Sequence, residues 1–247
     1  MKLFDTIKDI KNAAISKMSN GGEEVSEYDA LVGEIKNKYK KEEICVVKYN
    51  YKLVPYIAKP KGSIKDCKAL IIEEGVHKIP TNMFKEAKNL EVVAMADDGL
   101  VVLPCETFKD CHKLNCVHFP NSLTTISAGA FENCTALKDV SCNYNSEFFW
   151  VESRAFKGCT SLENISFRSA RCKIYKNAFE GCENLKSIDI TGDSRIEDNV
   201  FKGLKNLRYI RIYKLMDYLG PLHDRYFDDY VWEAYKEEYK KNRSVAM

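Results

Sequence analysis

The sequence has almost no excess of charge of either sign, which argues against partners that require a strongly charged surface. Its 38 Lys and Arg residues outnumber its 36 Asp and Glu residues by 2, and the two signs are mixed along the chain. Proteins that bind nucleic acids or membrane surfaces usually present a basic face. We therefore expect neither a nucleic-acid partner nor a membrane-surface partner.

Long apolar runs are also missing. No stretch approaches the roughly 18 apolar residues that a membrane-spanning helix needs, so we expect no membrane insertion. The first residues, MKLFDTIKDIKNAAISKMSN, lack the uninterrupted apolar centre of a secretory signal, because Lys8, Asp9 and Lys11 interrupt it. This predicts a cytoplasmic protein, with the cell surface as the alternative if a signal sequence was removed.

The sequence contains none of the common catalytic motifs. There is no phosphate-binding glycine loop, no Gly-x-Ser-x-Gly elbow and no His-Glu-x-x-His helix motif. The four His residues are scattered along the chain. We therefore predict that the protein is not an enzyme and uses no cofactor.

What the sequence does contain is a repeat with a period near 23 residues. Its anchors are Phe84, Phe108, Phe131, Phe156, Phe179 and Phe201. Each Phe is followed by Leu after six residues and by Val or Ile after nine, and an aliphatic residue stands five positions before it. One copy cannot bury these side chains alone, so the repeat predicts stacked copies that share one core.

The end of each repeat motif, Leu-x-x-Ile/Val-x-apolar, alternates between apolar and other residues. This period of two is typical of a strand with one buried face. Stacking the copies would align these strands into a parallel sheet along one side of a solenoid.

These motifs resemble the BspA-like branch of the leucine-rich repeat superfamily. The branch is recognised by Ala-Phe-x-x-Cys-x-x-Leu units, and CHKLNCVHFPNSLTTISAGAFENC, from Cys111 to Cys134, matches almost residue for residue. The resemblance covers about residues 64–213 and implies an α/β repeat solenoid, a right-handed coil with a parallel β-sheet on its concave side. A degenerate leading copy is predicted from Ile64, with Cys67 and Leu70 in register and a shortened strand.

The segments outside the repeats are predicted to cap the solenoid, because a stack exposes its apolar core at both ends. Residues 1–63 form the N-terminal helical and β cap region, with helices over 2–18 and 26–41 and β-rich stretches over 43–62. Residues 64–213 are the repeats, and residues 214–247 form a C-terminal helical cap.

Four of the ten Cys residues occupy one repeat column, three positions after the Phe: Cys111, Cys134, Cys159 and Cys182. Ala87 and Leu204 replace Cys in that column, and neither can bind sulfur or metal. We therefore expect buried, reduced, structural cysteines in this column. The other Cys residues show no regular pairing, which is typical of a reducing compartment.

Cys116 and His118 lie two residues apart on a predicted strand, so both should project from the same exposed face. They could bind a metal if further ligands converged on them. The alternative, which we favour, is a pair of isolated surface residues and no metal site.

The outward strand positions indicate where a partner would bind. Small polar residues occupy the middle of the face, and Tyr and Arg, the types enriched in binding hot spots, gather at its C-terminal end. The predicted binding residues are Arg168, Asp189, Tyr209, Arg211 and Tyr213. The alternative for the two Tyr residues is packing under a C-terminal helix.

We predict a non-enzymatic module that binds a protein or peptide through the concave leucine-rich-repeat surface. A cell-surface adhesin fragment that binds host or matrix components is the alternative, because the resemblance also extends to surface proteins. Neither the partner nor the oligomeric state follows from the sequence.

Overall fold

The structure, a computed structural model, describes residues 26–49, 55–58, 63–143 and 147–212. It confirms the parallel β-solenoid over the repeats. The predicted helix over 2–18 and the predicted C-terminal cap over 214–247 lie outside the described residues.

Two ladders of parallel strands run along the stack, numbered together in chain order. The first ladder has two hydrogen-bonded sections at equivalent repeat positions, and no pairing joins β6 to β8 among the described residues. The first section comprises β1 (Ile44–Tyr49), β3 (Ala69–Ile72), β4 (Val92–Met95) and β6 (Cys116–His118). The second section comprises β8 (Asp139–Asn143), the first parts of β10 (Asn164–Ile174) and β11 (Ser187–Ile196), and β12 (Tyr209–Ile212). The second ladder comprises β5 (Val102–Leu103), β7 (Thr125–Ile126), β9 (Phe148–Val151) and the second parts of β10 and β11. A further strand, β2 (Pro55–Ala58), pairs with β1 in an antiparallel hairpin.

The second ladder is the main difference from the sequence-based expectation of one sheet. Its buried positions include the aliphatic column before each Phe, for example Val151 and Ile174, which pair in register. Because this column faces the core, the backbone around it is extended. It pairs with the equivalent segment of each neighbouring coil. β10 and β11 run through both ladders, with a register shift between Arg168 and Arg171.

The Phe column forms a continuous stack of buried rings. Ring centroids are 5.4 Å apart for Phe108 and Phe131, 5.3 Å for Phe131 and Phe156, and 5.7 Å for Phe156 and Phe179. The last of these pairs lies only 4° from parallel. Stacking of equivalent side chains from successive coils is what the repeat predicts.

The Cys column forms a second stack beside the rings. Each thiol donates a hydrogen bond to the carbonyl oxygen of the Phe one coil earlier, as Cys159 does to Phe131 at 3.1 Å. Equivalent bonds of 3.1–3.2 Å join Cys111 to Phe84, Cys134 to Phe108 and Cys182 to Phe156. Burial raises the pKa of the Cys111 and Cys182 thiols to about 12, so these thiols are neutral and unreactive at physiological pH.

The leading copy differs from the prediction in register and in strand length. Leu70 pairs with Val93 and Ile72 with Met95, so Cys67, three residues before Leu70, takes the position of the repeat Leu. It does not belong to the Cys column. Strand β3 has four residues, as many as β4, and is therefore not shortened.

Cys67 also forms a disulfide with Cys45, and their Cα atoms are 5.9 Å apart. This corrects the expectation that the cysteines outside the column are unpaired. Cys45 lies in β1 opposite Leu70, so the parallel pairing of β1 and β3 brings it close to Cys67. The other eight Cys residues form no disulfide.

The predicted helix over 26–41 is present as α1 (Glu27–Lys38), and its buried side chains belong to an apolar cluster separate from the main core. Ser26 begins it by accepting a 3.0 Å hydrogen bond from the backbone N–H of Asp29. The buried side chains of Tyr28, Leu31 and Ile35 pack on the outward side chains of the first ladder. The residues that they cover are Ala69, Ile71, Val92, Ala94, Ala96 and Cys116.

The Phe stack yields a stability prediction. Phe156→Ala should lower the free energy of unfolding by about 3–5 kcal/mol, because it removes a fully buried ring from between two neighbours. Urea unfolding monitored by circular dichroism measures the loss.

The adjacent Lys157 provides the matched control. Its side chain is 37% exposed and its ammonium lies 3.0 Å from Glu180 at the surface. Lys157→Ala should therefore cost less than about 1 kcal/mol. Equal losses for the two variants would contradict the assignment of the Phe column to the core.

Candidate functional site

The outward face of the first ladder is divided into a covered half and an open half. The covered half, on β3, β4 and β6, lies under α1. The open half comprises the outward side chains of β8, of the first parts of β10 and β11, and of β12. Its members include exposed Asn164 and half-buried Ser166.

The covered half contains Cys116 and His118, whose predicted exposure is wrong. Cys116 is only 6% exposed and belongs to the apolar cluster beneath α1. His118 lies at the edge of that cluster with a side chain that is 13% exposed, and its ring centroid is 6.4 Å from that of Tyr28. The sequence could not place α1 here because nothing local to the strand specifies which helix covers it.

His118 is held between two carboxylates. Its Nε2 donates to Oδ1 of Asp97 at 3.4 Å, and its Nδ1 lies 3.8 Å from Oε2 of Glu27 at the beginning of α1. The hydrogen bond from His118 lowers the pKa of Asp97, and its charge acts in the same direction. Among the described residues, no group of three or more His, Cys, Asp or Glu side chains could hold a metal ion. Through its approach to Glu27, His118 joins the sheet to α1.

The open half begins with a row of hydrogen-bonded polar side chains. The Nδ2 group of Asn164 donates to Oδ1 of Asp139 at 2.6 Å, and the hydroxyl of Ser187 donates to Oδ1 of Asn164 at 2.7 Å. The row crosses three neighbouring strands, β8, β10 and β11, at equivalent positions. These bonds fix the orientation of each side chain before any partner arrives.

The next outward positions bring together two of the predicted binding residues, Asp189 and Arg211. They are opposite each other on β11 and β12, and the guanidinium donates from Nε to Oδ1 of Asp189 at 2.8 Å and from a terminal nitrogen to Oδ2. This bidentate pair raises the pKa of Arg211. The two charges largely neutralise each other, so a partner would meet this pair as one polar, nearly neutral group rather than as two separate charges.

Arg168 is the predicted binding residue whose charge remains available. It is exposed on β10, in register with Asn143 and Thr191, and it makes no hydrogen bond or ion pair in the part of the chain that the structure describes. Tyr209 is half-buried, whereas Tyr213 lies outside the described residues. The open half thus combines one unpaired guanidinium with fixed neutral and paired polar groups.

Sequence reasoning missed a second exposed surface, on β9 of the second ladder. Phe148 is 39% exposed and Trp150 is 44% exposed, whereas Phe149 and Val151 between and after them are buried. The alternation in Phe-Phe-Trp-Val is itself a strand signal. It could have revealed these two aromatic side chains as outward residues.

The described part of the chain has no helix with the length and apolar character that spanning a membrane requires.

One known protein family matches most of the chain. The model of the BspA type leucine-rich repeat region matches six copies, over residues 63–150 and 101–222. No curated protein matches the chain.

Three solved structures are similar. A leucine-rich repeat protein of T. pallidum is 19% identical, with a TM-score of 0.48 over 66% of this chain and 77% of its own. A leucine-rich cell surface protein from Faecalibacterium prausnitzii A2-165 is 24% identical, with a TM-score of 0.49 over 59% of this chain and 38% of its own. A leucine-rich repeat protein from Bacteroides ovatus ATCC 8483 is 30% identical, with a TM-score of 0.46 over 59% and 37%. The chain thus spans well under half the length of two of these relatives.

The contact between His118 and Asp97 predicts a pH-dependent contribution to stability. Because the folded-state pKa of Asp97 is below its ordinary value of 3.8, its carboxylate stabilises the fold above that pH. The contribution is lost as the pH falls through the folded-state pKa. Asp97→Asn should lower the free energy of unfolding by about 0.5–1 kcal/mol at mildly acidic pH, and the difference from the unchanged protein should shrink below pH 3.8.

Asp98→Asn is the matched control, because Asp98 is the exposed neighbour of Asp97. Urea unfolding of the three proteins across this pH range measures both effects. A deficit of Asp97→Asn that is independent of pH would show that the carboxylate charge is not what stabilises the contact.

Proposed function

Because the chain belongs to the BspA type leucine-rich repeat family, we propose that it is a non-enzymatic module that binds a protein or peptide on the open half of the first ladder. The observation that carries the proposal is the contrast between the two halves of this face. One half is filled by α1, whereas the other presents exposed polar side chains and Arg168, which makes no ion pair with the described side chains.

Preorganisation supports the proposal. The polar row of Asp139, Asn164 and Ser187 is fixed by its own hydrogen bonds on strands that are paired on both sides or at the edge of the sheet. Binding to a rigid surface avoids the entropy loss of ordering its side chains. Arg168 adds a planar group with five N–H donors, which suits carboxylate and carbonyl groups of a protein partner.

The proposal predicts that Arg168 is a determinant of affinity and has little effect on stability. A partner captured from a lysate of the native organism and identified by mass spectrometry should bind Arg168→Glu about tenfold more weakly, because a repulsive charge replaces the available donor. Isothermal titration calorimetry with the purified partner measures the change.

Lys202→Glu is the control, because Lys202 is an exposed residue in the turn after Phe201, away from the strand faces. It should bind like the unchanged protein. Failure to capture any protein partner, together with measurable turnover of a metabolite by the purified chain, would contradict the proposal.

The disulfide between Cys45 and Cys67 favours a second candidate function, a fragment of a cell-surface adhesin. Disulfides persist mainly in oxidising compartments, which include the cell surface. The same binding face would then act on host or matrix components, and the cytoplasmic location predicted from the sequence would not hold. The two functions differ in compartment rather than in the kind of ligand.

Thiol counting on protein freshly isolated from native cells separates the two. If the disulfide forms in the native compartment, denaturation without reductant should expose eight reactive thiols of the ten Cys residues. Ten reactive thiols would indicate a reduced protein and favour the cytoplasm. Before denaturation, Cys105 should react fastest because it is exposed, whereas the other seven Cys residues outside the disulfide are buried.

A further inference from the structure

The helix α1 and the covered half of the first ladder form an apolar unit that is separate from the main core. The side chains beneath α1 belong to one cluster, whereas the Phe, Leu and Cys columns belong to another on the opposite side of the strands. On β3, for example, Ala69 and Ile71 face α1, whereas Leu70 and Ile72 face the core. The coils therefore keep their own core when α1 leaves the sheet.

The helix has little stability of its own, so it depends on the sheet beneath it. It contains 12 residues, a length at which an isolated helix in water is marginal. Gly33, exposed near its middle, is among the least favourable residue types for a helix. A Cβ added at Gly33 would meet nothing within 4 Å outside its own stretch of helix in the described part of the chain. Packing therefore does not require a Gly here, and its presence weakens α1.

A small set of local contacts holds α1 on the sheet. The hydroxyl of Tyr28 donates to the carbonyl oxygen of Ile72 at 3.3 Å, and that of Tyr39, just beyond the helix, donates to Oε2 of Glu91 at 2.9 Å. The approach of His118 to the beginning of α1 adds to them. Opening a coil instead disrupts ring stacking and strand pairing with both neighbours. We therefore expect α1 to open at a lower free energy than the coils.

The surface beneath α1 is chemically suited to an amphipathic helix. It presents small and aliphatic side chains without charge, and they are Ala69, Ile71, Val92, Ala94, Ala96 and Cys116. Against them α1 places larger apolar side chains at spacings of three, four and four residues, the spacing of one helix face. These side chains are Tyr28, Leu31, Ile35 and Tyr39. The fit of α1 thus shows which pattern of side chains this surface accepts.

We propose that α1 is a displaceable internal ligand and that the surface beneath it binds an amphipathic helix of a protein partner. The partner helix carries aromatic or aliphatic side chains at the spacing found in α1 and occupies the same positions. In this kind of recognition, the apolar face of a helix lies in an apolar groove. The surface is separate from the open half of the ladder, so the inference goes beyond the proposed function and does not depend on it.

Other occupants fit this surface less well. A partner strand adds to the free edge of a sheet, but β3 and β4 are each paired on both sides. A nucleic acid requires cations for its phosphates, and the side chains of this surface are uncharged. Exchange of α1 between two copies of the chain would use the same contacts, and the association state of the protein tests it.

The rate at which Cys116 reacts with N-ethylmaleimide in the folded full chain measures the opening of α1. Cys116 belongs to the cluster beneath α1, whereas Cys134 is buried in the main core. Peptide mapping by mass spectrometry should show Cys116 labelled at least about tenfold faster than Cys134, because local opening costs less than opening of the coils. Gly33→Ala should slow the labelling of Cys116 about fourfold, because it strengthens α1.

Phe156→Ala is the matched control for local opening, because Phe156 belongs to the main core and not to the cluster beneath α1. It should speed the labelling of Cys134, whose coil stacks on that of Phe156, and leave the rate at Cys116 nearly unchanged. Equal acceleration at both Cys residues would show that α1 opens only together with the coils. That result would overturn the inference.

The probe for the partner helix is a fluorescein-labelled peptide of residues 26–39 that carries Gly33→Ala, titrated with the full chain and measured by fluorescence anisotropy. Leu31→Asp in the chain places a charge in the cluster beneath α1 and so removes the internal competitor. The peptide should bind this variant at least about tenfold more tightly than the unchanged chain. Asn37→Asp, on the exposed side of α1, is the control and should bind like the unchanged chain. A peptide that itself carries Leu31→Asp should show no saturable binding.

Equal peptide affinity of the Leu31→Asp variant and the unchanged chain, or no saturable binding by either, would overturn the inference. Loss of the coils in Leu31→Asp, seen by circular dichroism, would also overturn it, because α1 would then be part of the cooperative core. A dimer of the unchanged chain that Leu31→Asp dissociates in analytical ultracentrifugation would assign the surface to exchanged α1 helices instead. Arg168→Glu, combined with Leu31→Asp, should leave the peptide affinity unchanged, and a loss would place the peptide on the open half and contradict the inference.

Discussion

The contact between one coil and the next is the interaction on which the rest of the molecule depends. At each step from the coil of Phe84 to that of Phe179, three things repeat together: a Phe ring stacks on the equivalent ring, a thiol donates to the carbonyl of the preceding Phe, and backbone groups pair. Between the coils of Phe131 and Phe156 these are the ring stack of 5.3 Å, the bond from Cys159 to Phe131, and the bond from the N–H of Phe131 to the oxygen of Ala155 at 2.8 Å. Side chains of one coil are dry only because the next coil covers them, so no coil is stable alone.

The same stacking explains why the outward face of the first ladder has two characters. In the first coils the outward positions are apolar, with Ala69, Ile71, Val92 and Ala94, and they would be exposed to water without α1. From β8 onward these positions carry Asp, Asn and Ser, which water or a partner can satisfy. The position of α1 is therefore set by the burial of apolar side chains across the sheet, and it leaves the polar half of the face free.

The features that the sequence predicts well are those fixed by local spacing. The Phe, Leu and Cys columns follow from the repeat, and so does the turn after each Phe. That turn requires a positive φ at Asn133, Gly158 and Gly181 in successive coils, and at Gly158 an added Cβ would lie 2.4 Å from the Oδ1 of Asn133. The features that it did not predict depend on contacts between distant segments. The register of the leading copy, the disulfide of Cys45 and the site of α1 were all set by pairing and packing that no single stretch encodes.

The binding residues illustrate the same division. Residue type identified Asp189 and Arg211 as candidates, but only the structure brings them together as an ion pair that leaves Arg168 as the available charge. It also exposes Trp150 on a ladder that the repeat motif does not include. The open half of the first ladder and the exposed surface of the second ladder share β10 and β11, which run continuously from one ladder to the other. The distance between the two surfaces is therefore fixed by paired backbone rather than by a flexible loop. A partner at either face would therefore meet a surface already in its bound geometry, and that rigidity is what a stack of coils offers to binding.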